Sequence, residues 1–467
     1  MTMLGPPLSC VVSVSGVRGV VGDTLRVEHA LGLAQAFAIA VAHGGPVVVG
    51  RDTRASGRAL VQAVSAGLAA AGCPVIELGI VPTPTVAIAV THLGAAGGIQ
   101  VSASHNPHEW NALKFFTSGG RNIDGQQLEW LLNCYRDPPM GLHRRWDGIG
   151  GWREEHGVLD IHLQRVLAAV EARAIRARRF TVLVDCVNGA GSVLAPRLLA
   201  ALGARVVAVH DRTDLPFPRD PEPTAANLRQ VGALVRAANA DLGFVQDPDA
   251  DRLAIIDEQG RYIGEECTLA LCALARLEQA GPGNLVCTNL STSRLIDDVA
   301  ARCAARVERT PVGEAHVVDA IQRHQAAIGG EGNGGVIDPR VVLGRDSHIA
   351  MALVLELLAR RQQPLSEIVR GLPSYAIHKE KLALDRAALR AALPALQAAF
   401  AGDGMHSDQR DGLKLLGHDR WVHVRASGTE PVTRVIAEAP TAEEAQALCA
   451  RVRALLGAEQ IIDGHRL

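Results

Sequence analysis

Residues 180–210 read FTVLVDCVNGAGSVLAPRLLAALGARVVAVH, and this stretch decides the fold. It begins with a continuous apolar run typical of a buried strand and continues through a glycine-containing loop into a run with helical spacing. A second apolar run then ends it. Apolar strands that alternate with helices are typical of parallel sheets covered on both faces. The stretch therefore predicts a strand–helix–strand unit of an α/β protein.

The same unit occurs three times along the chain. The first runs from PVVVG at residue 46 to GGIQVSASHNP, the second ends at ADLGFVQDPDADR, and the third runs from NLVCTNL to AAIGGEGNGGV. Each unit closes with an apolar run that opens into a polar loop, and ligands of open α/β sheets gather at such strand ends. We expect three related α/β domains with mixed, largely parallel sheets whose loops share one central cleft.

The chain changes character after residue 370. The segment GLPSYAIHKE, residues 371–380, has the composition of a linker, and it precedes a helix predicted over 385–401. A strand pair, GLKLLG and WVHVRA, the loop SGTEPVT, the strand RVIAEA and a helix over 442–456 complete this region. The four predicted domains are residues 1–150, 151–258 and 259–370, which are α/β, and residues 371–467, which form a C-terminal α+β domain.

The overall composition excludes several classes of protein. The charges of the 47 basic and 49 acidic residues of this 467-residue chain nearly cancel. The chain therefore lacks the excess of basic residues that is typical of nucleic-acid-binding proteins. No apolar run reaches the roughly 18 residues that span a bilayer. The cysteines number nine, an odd count with no CxxC pair, which favours reduced thiols. We expect a cytoplasmic monomer or homodimer that binds neither nucleic acid nor a membrane.

The loop DPDADR carries three carboxylates, on Asp247, Asp249 and Asp251, followed by Arg252. Alternate residues of an extended segment point to the same face, which would bring the three carboxylates together. Like charges at close range are costly unless a cation lies between them. Oxygen ligands select a hard ion, so the loop predicts a Mg²⁺ site, and a solvated acidic turn is the simpler alternative.

A calcium EF-hand loop is the competing interpretation, because Glu258 stands at the twelfth position. Pro248 occupies the second position, however, and Arg252 stands where the sharp turn requires glycine. A strand rather than a helix precedes the loop. These three features argue against the EF-hand.

The loop RASGTEPVTR is rich in groups that bind anions. Hydroxyls and backbone N–H groups of a Ser-Gly-Thr turn can form an anion nest, and arginines add bidentate contacts to phosphate. The candidate phosphate ligands are Arg425, Ser427, Gly428, Thr429 and Arg434. The alternative is an ordinary hairpin loop with exposed arginines.

The glycine-rich loop GGEGNGGV contains Glu331 and Asn333. Glycines allow the backbone to approach a ligand closely, and these two polar side chains suit the hydroxyl groups of a sugar. A flexible surface loop is an equally simple explanation.

The stretch VSASHNPHEWNALKFF, residues 101–116, supplies the groups that phosphoryl transfer requires. Ser104 offers a hydroxyl that can carry phosphate, and Lys114 can stabilise the transferred charge. Adjacent residues of an extended chain point apart, so His105 is either a catalytic partner of Ser104 or a residue that fixes the loop. In SGVRGVVG, Arg18 is a further candidate phosphate ligand.

Taken together in this order, SGVRG, SASHNPHEWNALK, DPDADR, GEGNGG and RASGTEPVTR resemble the α-D-phosphohexomutase family over nearly the whole chain. The resemblance implies an isomerase that interconverts hexose 6-phosphate and 1-phosphate through a phosphoserine and a hexose 1,6-bisphosphate. It implies that Ser104 is the phosphoserine and a Mg²⁺ ligand. Further implied Mg²⁺ ligands are Asp247, Asp249 and Asp251. Groups around the transferred phosphate would be Arg18, Lys114, His105 and Arg252.

The resemblance also implies that Glu331 contacts sugar hydroxyls and that the RASGTEPVTR loop holds the non-transferred phosphate. The chain departs from the common pattern at Pro248 and Ala250, where glycines are usual, and at Asn333 and Gly335, where Ser and His are usual. Glu314 stands at a position that, by this resemblance, is acidic in the glucosamine branch of the family.

A carboxylate near a sugar amine favours glucosamine phosphate electrostatically, so the predicted activity is that of a phosphoglucosamine mutase. Phosphomannomutase/phosphoglucomutase is the alternative, since the fold alone does not determine the sugar. A Mg²⁺-dependent phosphatase and a non-catalytic sugar-phosphate sensor are more distant possibilities.

Overall fold

The computed structural model describes residues 4–139, 142, 144–427 and 432–458, and four β-sheets follow one another along this part of the chain. The first sheet has seven strands, β1 (Val11–Ser13), β2 (Gly16–Val20), β3 (Val47–Arg51), β4 (Val75–Ile80), β5 (Gly97–Val101), β6 (Trp110–Thr117) and β7 (Trp152–Glu154). Its helices are α1 (Val27–Ala40), α2 (Gly57–Ala70), α3 (Thr83–His92) and α4 (Gly125–Arg136).

Two helices, α5 (Val158–Ala168) and α6 (Ala172–Arg178), lead to the second sheet. The elements of that sheet are β8 (Thr181–Asp185), α7 (Ala195–Ala201), β9 (Arg205–Val209), α8 (Arg229–Ala237), β10 (Leu242–Gln246) and β11 (Leu253–Asp257), with a short 3₁₀ turn at Ala190–Val193. The third sheet and its helices comprise α9 (Glu265–Ala280), β12 (Leu285–Asn289), α10 (Leu295–Arg302), β13 (Arg306–Thr310), α11 (Glu314–His324), β14 (Ile328–Glu331), β15 (Gly335–Ile337), α12 (Ser347–Arg361) and α13 (Leu365–Arg370).

These three sheets share one order of strands. The second is β9-β8-β10-β11, the third is β13-β12-β14-β15, and the first contains β4-β3-β5-β6 at its centre. In each case the first three strands are parallel and the fourth is antiparallel. The predicted repeat is therefore confirmed, and the Ser104, DPDADR and GEGNGG loops all connect the third and fourth strands of their unit.

The fourth sheet, β16-β20-β19-β18-β17, is antiparallel throughout. Its elements are β16 (Ala376–Leu382), α14 (Arg386–Ala401), β17 (His406–Asp408), β18 (Leu413–Leu416), β19 (Trp421–Ala426), β20 (Thr433–Ala439) and α15 (Ala442–Leu455). This arrangement confirms the predicted α+β character of the region. Thr441 caps α15 by accepting a hydrogen bond from the backbone N–H of Glu444.

The predicted linker over residues 371–380 is wrong in its second half, because β16 begins at Ala376. β16 is an edge strand that pairs only with β20. A strand with one neighbour and a solvated side tolerates His378, Lys379 and Glu380, and these residues obscure the alternation that would have indicated a strand. β7 is likewise an edge strand of the first sheet and lies beyond residue 150. The four domain boundaries stay predictions.

Helix α12 packs in a core that the three α/β units share. Every residue from Ser347 to Ala359 is buried, as expected for a helix that is apolar on all sides. α12 contacts α5, α6, α7 and α9, and its side chains belong to a core cluster that includes residues of all three α/β sheets. In the part of the chain that the structure describes, no helix has the length and apolar character needed to cross a membrane.

Candidate active site

The loop between β5 and β6 presents the Ser104 hydroxyl to the DPDADR loop. Ser104 has a φ of 51°, in the left-handed region, and its Oγ donates a hydrogen bond of 2.7 Å to Oδ2 of Asp247. His105 Nδ1 lies 3.3 Å from the same Oγ. The expectation that the two neighbouring side chains point apart is wrong, because it assumed an extended backbone. The side chains of Ser104 and His105 are therefore in contact with each other.

Arg54 holds this loop in place, and no sequence pattern indicated it. Its fully buried guanidinium donates hydrogen bonds to the main-chain oxygens of Ser104 at 2.7 Å and Asn106 at 2.6 Å, and to those of Pro107 and Trp110. Asp52 pairs with the Arg54 Nε at 3.0 Å. Arg54 lies in the loop after β3, the strand that neighbours β5, so adjacent strand ends of one sheet build the Ser104 loop.

The three aspartates of DPDADR converge, although not for the predicted reason. The loop is a turn rather than an extended segment, and Ala250 adopts a φ of 58°. One carboxylate oxygen from each of Asp247, Asp249 and Asp251 lies within 4.8 Å of the others, and all three side chains are buried. The Glu258 carboxylate instead accepts a hydrogen bond from the Ser366 backbone N–H at 3.2 Å, which is incompatible with an EF-hand.

The electrostatics of this cluster suit a divalent cation. Burial, together with the neighbouring Asp251 and Asp249, raises the pKa of Asp247 well above its usual range. Oδ1 of Asp249 and Oδ1 of Asp251 are buried and accept no hydrogen bond from the described residues. Buried carboxylate oxygens that lack donors are costly unless a cation binds them. An all-oxygen donor set fits Mg²⁺ or another hard ion.

Cationic side chains surround the aspartates. Lys114 on β6 places its Nζ 2.5 Å from Asp249 Oδ2 and 3.4 Å from Asp251 Oδ2. Arg252 Nε lies 3.8 Å from Asp251 Oδ1. Arg18 on β2 donates to Asn106 Oδ1 at 3.2 Å, within the Ser104 loop. Lys114 and Arg18 lie on adjacent strands, so the sheet itself brings them to one place.

The environment of His105 determines its charge. Burial lowers the pKa of His105 well below its usual value, and the nearby Arg252 and Arg18 lower it further. The imidazole is therefore neutral at pH 7. The Ser104 hydroxyl can therefore donate its hydrogen bond either to the neutral His105 ring or to the Asp247 carboxylate.

Arg345, a residue outside the sequence motifs, connects the GEGNGG loop to the aspartates. Arg345 donates to Asp251 Oδ2 at 2.7 Å, to Glu314 Oε2 at 2.9 Å and to Glu331 Oε2 at 3.3 Å. Asn333 donates to Glu331 Oε2 at 3.3 Å and accepts from the Gly335 N–H at 3.2 Å. The two predicted sugar-contacting carboxylates thus share one guanidinium with Asp251 of the DPDADR loop.

The RASGTEPVTR loop follows β19 in the fourth sheet. Arg425 and Arg434 are direct cross-strand partners on β19 and β20. Like charges in this position are destabilising without a counter-charge, and Asp411 supplies one by accepting from Arg425 Nε at 2.9 Å. Ser427 is buried at the end of β19. Gly428 and Thr429 lie outside the described residues.

Asp411 also connects this loop to the third sheet. Its Oδ2 accepts a hydrogen bond of 3.0 Å from the Val312 N–H, two residues before Glu314. His423 on β19 contacts the Ser291 hydroxyl at 2.9 Å through Nδ1. The C-terminal domain is therefore docked beside the segment that carries Glu314.

Comparisons with known proteins identify the family to which this chain is similar. Four family models match in succession: phosphoglucomutase/phosphomannomutase alpha/beta/alpha domain I over residues 11–138, domain II over 160–260, domain III over 265–375 and the C-terminal domain over 380–455. A phosphoglucomutase/phosphomannomutase of Thermococcus kodakarensis is 40% identical over 439 residues, covering 92% of this chain and 95% of the relative.

Two further matches are similarly complete. A probable phosphoglucosamine mutase of Methanopyrus kandleri is 36% identical and covers 93% of this chain and 95% of the relative. The crystal structure of a phosphoglucomutase/phosphomannomutase family protein from Burkholderia thailandensis superposes with a TM-score of 0.84 at 28% identity, covering 97% of this chain and 98% of that one.

The fold and site define a phosphosugar mutase, an isomerase. The chain belongs to the phosphoglucomutase/phosphomannomutase family. The predicted family, fold class and type of enzyme are confirmed. The roles of the individual site residues stay predictions, although the structure brings the three repeated loops together.

Proposed function

We propose that the protein interconverts a hexose 6-phosphate and the corresponding 1-phosphate through phospho-Ser104 and a hexose 1,6-bisphosphate. One observation carries the proposal: the Ser104 hydroxyl donates to Asp247, within the buried group of three aspartates. A phosphorylated Ser104 would place its phosphate against the carboxylate cluster and beside Lys114. This arrangement favours reversible phosphoryl transfer, which depends mainly on positioning and charge stabilisation.

In the proposed transfer, the bond between phosphorus and Ser104 Oγ breaks as a bond forms to a sugar hydroxyl oxygen. The proton of that hydroxyl is delivered, overall, to Ser104 Oγ, and His105 at 3.3 Å is placed to relay it. Lys114, Arg18 and Arg252 would stabilise the charge on the transferred group. The reverse reaction with the other phosphate of the bisphosphate restores phospho-Ser104.

Asp247, Asp249 and Asp251, together with an oxygen on Ser104, would hold a divalent metal ion, for which Mg²⁺ is the best candidate. The metal would supply charge neutralisation at the phosphoryl oxygens. Oδ1 of Asp249 and Oδ1 of Asp251, which accept no hydrogen bond from the described residues, support this assignment.

The bisphosphate would have to turn over between the two transfers, so that each phosphate occupies the transfer site once. Arg425, Ser427, Gly428, Thr429 and Arg434 would hold whichever phosphate is not being transferred. The docking of Arg425 through Asp411 to the Val312 segment supports a location beside the sugar loop. Closure of the C-terminal domain over the ligand would exclude water and limit loss of phosphate.

The identity of the sugar depends on Glu314. As a free carboxylate it would favour glucosamine phosphate, but its Oε2 accepts a hydrogen bond of 2.9 Å from Arg345. This pairing favours glucose or mannose phosphates, whose sugar rings carry no charge, as in the phosphomannomutase/phosphoglucomutase alternative. Glucosamine phosphate stays the second candidate, because Glu314 and Glu331 share a single guanidinium.

The protein is proposed to act in the cytoplasm, as a monomer or homodimer. All nine cysteines lie within the described residues and are free thiols, which is typical of a reducing compartment.

The test follows phosphorus NMR spectra of each sugar 6-phosphate with the protein, Mg²⁺ and a trace of the matching 1,6-bisphosphate. We expect a 1-phosphate signal to appear with the wild type and not with Ser104→Ala, whereas Ser407→Ala, on the exposed strand β17, should retain the activity. Release of inorganic phosphate instead would identify a phosphatase. Absence of any reaction with glucosamine, glucose and mannose phosphates would favour a sensor and reject the proposal.

A further inference from the structure

Arg345 lies in the segment between β15 and α12 and connects three parts of the site. Each of its guanidinium nitrogens binds a different carboxylate: Nη2 binds Asp251, Nε binds Glu314 and Nη1 binds Glu331. The Arg345 backbone N–H also donates to Glu314 Oε1 at 3.3 Å. Its side chain is only 10% exposed. Such a fixed, fully engaged guanidinium acts as a permanent positive charge in the site.

The two sugar-facing carboxylates need this charge. Burial raises the pKa of Glu314, Arg345 opposes that rise, and Asp251 and Glu331 add to it. Without Arg345, two buried carboxylates would face the sugar with no positive partner between them. With Arg345, one positive charge lies among Glu314, Glu331 and Asp251.

We propose that Arg345 is a specificity-determining residue that makes the sugar site favour a hexose phosphate with an uncharged sugar ring over a hexosamine phosphate whose amino group is protonated. The proposal rests on the mutase function proposed above. An ammonium group on the sugar would have to compete with Arg345 for Glu314 and Glu331. A hydroxyl group can donate to the remaining acceptor positions of either carboxylate while both ion pairs stay intact.

The prediction concerns a ratio, which separates it from general damage to the enzyme. Both sugars use the same phosphoserine, the same metal-binding loop and the same phosphate-binding loop. A change at Arg345 that merely weakens Asp251 or the fold lowers kcat/KM for both sugars alike. Only a change in how the site treats the ammonium group alters the ratio of the two values.

The experiment measures kcat/KM for glucosamine 6-phosphate and glucose 6-phosphate with the full-length protein. The pH is 6.5, below the range in which amino groups of this kind lose their proton. Arg345→Gln removes the charge, and we expect the ratio of glucosamine to glucose activity to rise about tenfold or more. Arg345→Lys keeps the charge, and its ratio should stay within about threefold of that of the wild type.

Two further variants keep the inference testable if Arg345→Gln does not fold. Glu314→Gln removes one negative charge from the same group and should move the ratio in the opposite direction. Arg340→Gln serves as the matched control, because Arg340 lies on the same segment but pairs with Asp338, and it should leave the ratio unchanged.

The outcomes separate this inference from the proposed function. An equal loss for both sugars in Arg345→Gln, with an unchanged ratio in Glu314→Gln, would overturn the role of Arg345 and leave the mutase intact. A wild type that isomerises neither sugar phosphate would overturn both. Opposite shifts in the two variants, with Arg340→Gln unchanged, would establish it.

Discussion

The Arg54 guanidinium donates a 2.7 Å hydrogen bond to the main-chain oxygen of Ser104, fifty residues further along the chain. Through this contact, the loop after β3 holds the backbone of the Ser104 loop at the point where Ser104 adopts its left-handed conformation. The other carbonyls that Arg54 binds belong to the same loop. The position of the Ser104 hydroxyl thus depends on a buried side chain whose own hydrogen bonds go to Asp52 and to main-chain oxygens.

Arg54→Lys should therefore slow the chemical step. A lysine ammonium cannot reproduce the planar, multidentate contacts of the guanidinium, and a misplaced reacting group costs about 100-fold in rate. We expect kcat to fall by that amount while KM changes less than about threefold, as measured by steady-state kinetics. Arg58→Lys, on the exposed face of α2, is the control. A rise in KM with unchanged kcat would contradict this role.

Removal of divalent cations should destabilise the protein. The aspartates of DPDADR repel one another, and a bound ion at 100 times its Kd stabilises the folded state by about 2.7 kcal/mol. We expect EDTA to lower the melting temperature by about 2–5 °C and added Mg²⁺ to restore it. Asp249→Asn should abolish this shift, whereas Asp214→Asn, on the exposed surface of the second domain, should retain it. An equal shift in both variants would place the ion elsewhere.

His423 should make the docking of the C-terminal domain sensitive to acid. Burial lowers the pKa of His423 from 6.5 to about 4, so the folded protein keeps the ring neutral while the unfolded chain binds a proton below pH 6.5. Stability is therefore present above pH 6.5 and falls progressively toward pH 4. The loss should reach at most about 3 kcal/mol.

Urea unfolding between pH 7 and pH 4 measures this dependence. His423→Gln removes the titrating group, so the variant should show a flatter profile over this interval. His406→Gln, on an exposed strand of the same sheet, is the control and should follow the wild type. Parallel profiles for wild type and His423→Gln would disprove the assignment.

Arg425→Met should weaken substrate binding more than chemistry. Arg425 would hold the phosphate that is not transferred, so its loss should raise KM for the sugar phosphate about 10- to 100-fold. Phosphorylation of Ser104 by the bisphosphate, followed by mass spectrometry, should still occur. Arg420→Met, on the turn before the same strand, is the matched control. An unchanged KM would exclude Arg425 from the phosphate site.

Leu353→Ala should destabilise the whole α/β part of the molecule. Leu353 is fully buried in the middle of α12, and removing a buried leucine side chain costs about 2–5 kcal/mol. Leu455→Ala, at a position that is 46% exposed, should cost less than about 1 kcal/mol. Thermal or urea denaturation of the two variants measures the difference. Equal losses would show that α12 is not the shared core.

The sequence alone predicted the parts of the site that lie within single loops. The repeated strand–helix–strand pattern led directly to three equivalent loops, because buried parallel strands leave a strong apolar signal. Ser104, the three aspartates and Glu331 each lie at the end of such a strand. Their residue types also indicated their chemistry without any knowledge of tertiary contacts.

Residues that act through long-range contacts could not be found in this way. Arg54 and Arg345 are single arginines in otherwise ordinary segments. Apart from Asp52, which pairs with Arg54, the partners are 14 to 94 residues distant in the chain. The turn at Ala250 was missed because left-handed backbone in a non-glycine residue leaves no compositional signal. The pairing of Glu314 with Arg345 could not be predicted, because the two residues are 31 positions apart in the chain.

The late position of α12 in the chain also affects how the protein is made. A ribosome completes α5, α6 and α7 more than 150 residues before it reaches Arg361. At 5–20 residues per second, roughly 10–30 s pass while the apolar surfaces that α12 will cover are exposed to water. During that time the nascent chain exposes the apolar surfaces of α5, α6 and α7, and a chain released before residue 361 lacks a complete α12 to cover them. Nascent-chain chaperones and the rate of translation therefore matter more for this protein than its modular appearance suggests.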